Sequence, residues 1–159
     1  MTQVEGAGGA RLAGGRRSRV NEDSRPHERP LHDGAAEQIA FGLPGLPGAR
    51  NFAAAYAHRQ GMPDDRVGEL LLAVNEVATN AVTHGNGRAT MRVWCAGDHL
   101  VVEVHDEGHW PLDGATPGAT PPGPYATSGM GLWVARRLSS GIDFATGASG
   151  TTVTMSFKV

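Results

Sequence analysis

The chain has 159 residues, 19% of them charged, and a formal net charge of -2. Near-neutral charge argues against direct binding to nucleic acid or an anionic membrane surface, and no apolar run approaches the roughly 20 residues that span a bilayer. The single cysteine, Cys95, excludes an intrachain disulfide and fits a reducing, cytoplasmic setting.

In chain order, residues 1–36 come first. They are rich in Gly, Arg, Glu and Pro and nearly free of large apolar side chains, so they cannot bury enough surface to offset their ordering entropy. They read as a disordered Gly/Arg-rich arm without the apolar core of a signal peptide. The folded unit is then 37–159, a single domain. "QIAFGL" (38–43) is a short strand. Two Pro-Gly pairs form a turn, and 49–60 is a helix ended by Gly61. Residues 63–84 carry the strongest helical pattern. Pro63, Asp64 and Asp65 suit a first turn, and Leu70, Leu71, Val74, Val77, Ala78 and Ala81 recur at helical period. Residues 89–96 and 99–106, split by Gly97-Asp98, form a hairpin. The Pro/Gly-rich stretch 107–128 is a long loop, of a length that in small domains serves function or motion. Helix 131–139 and strands 142–146 and 151–158 complete the domain. The order β-α-α-β-β-loop-α-β-β predicts an α+β fold, one sheet with helices on one face.

Four places carry chemistry. Glu76, Asn80 and His84 recur every fourth residue along one flank of the apolar stripe of helix 63–84. A carboxylate there can serve as a general base, and an amide oxygen one turn on can ligate Mg²⁺. Asp106 falls in phase with Leu100, Val102 and Val104, where a carboxylate is costly without a partner; Gly108 lets backbone come close. Gly129 and Gly131 open a helix whose free amides favour an anion. Gly147, Gly150, Thr151 and Thr152 punctuate the last two strands. Each place also has a plain structural account: a polar helix flank, a strand-end turn, a helix start, and turn chemistry. His99, His105 and His109 lack metal-site spacing, and Trp94, Trp110 and Trp133 read as packing residues.

The order and spacing of these features together resemble the GHKL, or Bergerat-fold, ATPase superfamily. E-x-x-x-N-A-x-x-H-G on a helix is followed by D-x-G after a strand, a Pro/Gly-rich loop, G-x-G-L opening a helix, and a glycine-threonine turn. "LLLAVNEVATNAVTHG" (70–85) and "GMGLWVARRLSSGIDFATG" (129–147) are similar to the anti-sigma-factor serine/threonine kinases of bacteria. The resemblance spans about 38–159. It implies a two-layer α/β sandwich with a mixed, mostly antiparallel sheet. It also implies ATP and Mg²⁺ under a lid formed by 109–128.

By resemblance, Glu76 is the general base and Asn80 the Mg²⁺ ligand. Asp106 accepts the adenine amino group with Gly108 beside it. Gly129, Met130, Gly131 and Leu132 face the phosphates, and Thr152 stands near the adenine end. The implied activity is phosphorylation of an anti-anti-sigma (STAS-type) protein, with binding of a sigma factor; relatives of this kind also form homodimers. One departure bears on activity. The family's D-x-G-x-G is here Asp106-Glu107-Gly108-His109-Trp110, without the second glycine. Two other readings stay open: a nucleotide-gated binding module with little turnover, and an ATPase domain acting in trans in a sensor pathway.

Overall fold

The computed structural model describes residues 35–109, 117–119, 121 and 130–159. The stretch read as an arm therefore lies almost wholly outside the described residues. So do Gly129 and most of the loop expected over 109–128.

Strands β1 (Glu37–Gly42), β2 (Arg88–Ala96), β3 (His99–Asp106), β4 (Gly141–Gly147) and β5 (Gly150–Lys158) form one sheet in the order β1-β2-β3-β5-β4. Every pairing is antiparallel, the limiting case of the mostly antiparallel sheet expected from sequence. Helices α1 (Leu46–Arg59), α2 (Asp64–His84) and α3 (Met130–Leu138) cover one face of it.

The local causes are legible. A 3-10 turn over Leu43–Gly45 uses the first Pro-Gly pair, but Pro47 of the second enters the first turn of α1. The missing N–H of a proline costs nothing there, which is why α1 starts three residues earlier than the expected 49. Pro63 precedes α2 in extended conformation, and Asp64 and Asp65 sit at the positive end of its dipole. Gly85 ends α2, and Gly87, at φ +72°, turns the chain into β2.

Alternation along β2 and β3 sends Met91, Val93, Leu100, Val102 and Val104 to the helix side. There they meet Leu70, Ala73, Val74, Val77 and Ala81 of α2, all fully buried. Burying a Val- or Leu-sized side chain contributes about 1.5–3 kcal/mol, so α2 and the two central strands carry the core. Ala135 of α3 joins it with Val153, Met155 and Phe157 of β5. No helix of the described residues is long and apolar enough to cross a membrane.

Candidate functional site

The site starts at the end of β3. Asp106 is 2% exposed and lies on the helix side, at the end of an otherwise apolar row. Its Oδ1 accepts a hydrogen bond from the Gly108 amide at 2.8 Å. The chain makes room for this carboxylate at two glycines, and a third packs on the backbone that carries it. A methyl group on Gly85 would stand 2.6 Å from Asp106 Oδ1, and one on Gly108 would stand 2.9 Å from the same oxygen and 2.8 Å from the His84 carbonyl. Gly150, at φ +116°, presses its backbone on that of Asp106 and Glu107. A buried carboxylate is costly unless hydrogen-bonded, and the close backbone at these glycines gives it its place.

β5 supplies the floor. Thr151 lies directly opposite Asp106 and is fully buried. Its Oγ1 donates to the Gly108 carbonyl at 3.0 Å. A hydroxyl has one proton, so the 3.1 Å contact between Thr146 and Thr151 must be donated by Thr146. Thr152, expected at this end, is not here. It pairs opposite His105 on the other face of the sheet, where its Oγ1 is 2.9 Å from His105 Nδ1. The correction is one residue of strand phase. Val153, Met155 and Phe157 face the core, so Thr151 shares their side and Thr152 does not.

The second end lies along α2. At about 1.5 Å per residue, Asn80 stands about 6 Å and Glu76 about 12 Å from the His84 end of the helix. Both are half-buried. Glu76 touches α3. A methyl group on Gly131 would come 3.2 Å from Glu76 Cδ and 3.3 Å from its Cβ, and closer still to Oε2. Gly131 thus lets the first turn of α3 close onto the carboxylate. Met130 is 53% exposed, and Leu132 is partly buried against the core. Beyond them, a short piece of the loop is tied down. The Arg136 guanidinium donates to the Pro117 carbonyl from Nε (3.2 Å) and Nη2 (3.1 Å), and Gly118, at φ +69°, rests on the backbone of Leu132.

Asp106, Gly108, Glu76, Asn80 and Gly131 are therefore ordered along α2, carboxylate pocket at one end and Glu76 with the start of α3 at the other. Sequence reasoning marked Gly85, Gly150 and Thr151 in its patterns but gave none of them a part in this site. The phase of β5 carried the signal for Thr151; the contacts of the two glycines have no local signal, because the groups they meet are distant in sequence. Among the described residues, no cluster of three or more His, Cys, Asp or Glu side chains could hold a metal ion. A cavity of about 680 Å³ also borders Asp106 and Glu107, but most of its strand residues (Ala40, Gly42, Arg88, Thr90 and His105) belong to the opposite face.

The profile of a family described as "Histidine kinase-like ATPase domain" matches residues 43–157. No curated protein matches the chain. Among solved structures, that of the RsbU and RsbW domains of Rv1364c from Mycobacterium tuberculosis superposes with a TM-score of 0.60 at 21% identity. The likeness covers 79% of this chain but 32% of that one, and at this identity it speaks for the fold.

Proposed function

This chain belongs to the histidine kinase-like ATPase family, and on that premise we propose that it binds Mg²⁺-ATP and is an anti-sigma regulatory serine/threonine kinase. Its protein substrate would be an anti-anti-sigma (STAS-type) protein and its second partner a sigma factor, with homodimers as the working unit and the cytoplasm as its place.

One observation carries the nucleotide part: a buried carboxylate, Asp106, that backbone approaches closely at Gly85 and Gly108, with Asn80 and Glu76 following along α2 from the helix end beside it. The described residues fit the nucleotide. Asp106 is a buried acceptor that backbone approaches closely at Gly85 and Gly108, which suits an exocyclic amine. Asn80 offers one oxygen. Mg²⁺ characteristically takes few protein ligands and completes its shell with phosphate and water, so a single side-chain oxygen is a sufficient contribution from α2. Magnesium, when bound, would neutralise charge on the phosphates. Glu76, beside the start of α3, would accept the proton of the substrate hydroxyl. Phosphoryl transfer needs mainly positioning and charge stabilisation, so this short set of residues suffices.

The likeness to a structure whose title names RsbU and RsbW domains supports the anti-sigma reading as a direction to test. Binding is tested by calorimetry with ATP, with and without Mg²⁺, on wild type and Asp106→Asn. The expected result is Mg²⁺-dependent binding in the micromolar range, weakened at least tenfold by the substitution. Folded wild type that binds no ATP would refute the proposal. Transfer is tested with γ-labelled ATP and STAS-domain proteins.

One feature favours a second reading, a nucleotide-gated binding module. Trp110 stands where the family pattern has its second glycine. Tight ATP binding with no transfer to any STAS protein would select that module, or an ATPase domain acting in trans in a sensor pathway.

A further inference from the structure

Among the described residues, the exposed large apolar side chains are Leu43, Leu72, Met130 and Val159. Two of them stand beside Glu76. Leu72 is 59% exposed and lies one turn before Glu76 on α2. Side chains four apart on a helix are neighbours, with about 5–6 Å between their Cβ atoms. Met130 is 53% exposed and precedes Gly131, whose Cα meets Glu76. Each of the two helices that meet at this carboxylate therefore brings one large apolar side chain to the surface next to it.

Helical phase puts Leu72 on the water side of α2. Leu70, Ala73, Val74 and Val77 face the core and are fully buried, whereas Gly68, Leu72 and Thr83 are exposed. Gly68 lies one turn before Leu72, with nothing within 4 Å of an added methyl. That turn adds no side chain to cover the leucine. Single exposed leucines are ordinary on protein surfaces; what sets Leu72 and Met130 apart is that both adjoin the group that would receive a proton from a substrate. A polar residue such as glutamine would serve the helix as well as Leu72 does, and the chemistry of proton acceptance needs no leucine.

Resting on the reading of Glu76 as the base, we propose that Leu72, with Met130 beside it, is the docking surface for apolar side chains that flank the phosphoacceptor hydroxyl of the protein substrate. The hydroxyl must come within about 2.6–3.2 Å of the Glu76 carboxylate. Alternate residues of an extended segment point to the same side, about 6.5–7 Å apart. That spacing matches the separation of Leu72 and Glu76 along α2. An extended acceptor segment thus presents its hydroxyl to Glu76 and the side chain two positions away to Leu72. The partner this surface fits is a protein whose acceptor serine or threonine has an apolar residue at that distance. Burying the two apolar surfaces against each other removes both from water and favours the complex.

Leu72→Gln tests it, because glutamine keeps the length and the helix propensity and removes the apolar surface. The assay uses γ-labelled ATP and a STAS-domain protein that wild type phosphorylates. KM for the acceptor should rise at least fivefold, kcat should stay within twofold, and ATP affinity by calorimetry should not change. Leu72→Met should keep the wild-type KM, and all three proteins should share one urea midpoint. In the acceptor, glutamine in place of the apolar residue two positions from the hydroxyl should raise KM in wild type and have little further effect in Leu72→Gln. An unchanged KM in Leu72→Gln would overturn the docking surface and leave the kinase reading intact. A shift from dimer to monomer in light scattering would assign the leucine to a second copy and overturn it too. Wild type that binds ATP and phosphorylates no STAS protein would overturn the kinase reading and this surface with it.

Discussion

Replacing Gly85 with alanine should destabilise the protein, and replacing Gly68 with alanine should do the opposite. Gly68 lies within α2 with nothing within 4 Å of an added methyl. An exposed helical glycine changed to alanine gains about 0.5–1 kcal/mol from reduced unfolded-chain freedom and better helix propensity. Gly85 has φ -84° and ψ -158°, a conformation open to any residue, so the same entropic gain is available to it. The collision decides the sign. The new methyl would stand 2.6 Å from Asp106 Oδ1 and 2.8 Å from its Cγ, and closer to the Ala81 carbonyl. Neither neighbour can yield easily. The Ala81 carbonyl accepts the Gly85 amide at 3.0 Å in the last turn of α2, and Asp106 is buried and holds Gly108. Overpacking costs about 1–3 kcal/mol, and two fixed neighbours place this case toward the upper end. Set against the entropic gain, the net loss is about 2 kcal/mol. With a urea slope of about 1–3 kcal/mol/M, the midpoint of Gly85→Ala should fall by roughly 1 M and that of Gly68→Ala should rise by a few tenths. A Gly85→Ala midpoint equal to or above wild type would refute the account of this glycine as the wall of the Asp106 pocket.

Thr151→Val should weaken ATP binding and cost about 1–3 kcal/mol in urea unfolding, since it removes the donor to the Gly108 carbonyl. Thr152→Val should leave the calorimetric affinity unchanged, and an equal loss in both variants would contradict the placement of the two threonines on opposite faces. Glu76→Gln should keep ATP affinity within about threefold while abolishing label transfer to a STAS protein; retained transfer would remove Glu76 as the base. The Tyr56 phenol is held above its ordinary value of 10.0, first by burial and then by neighbouring Cys95. The unfolded chain therefore releases this proton first, and its contribution to stability, complete below pH 10, is lost as pH rises beyond it. Denaturation series between pH 9 and 11.5 should show a smaller alkaline decline for Tyr56→Phe than for wild type; parallel curves would refute the assignment.

Period and phase are properties of a single segment, and these the sequence determined by itself. The 3.6-residue pattern of 63–84 placed Glu76, Asn80 and His84 on one flank of α2, and alternation placed Asp106 in the core-facing row of β3. The same alternation, applied to β5, assigns the inward position to Thr151 because it is in phase with Val153, Met155 and Phe157; the glycine-threonine pattern alone does not choose between neighbours. Contacts between distant segments were decided only by the tertiary structure. Gly85 ends a helix in any sequence reading, yet its need for a bare Cα comes from a carboxylate 21 positions away. Gly131 opens a helix in any reading, yet its Cα meets Glu76 only because α3 packs on α2. The two faces of the sheet show the same limit. Local alternation says that Trp94 and Val93 point in opposite directions, and it cannot say that both are buried, because burial depends on what the rest of the chain lays across each face.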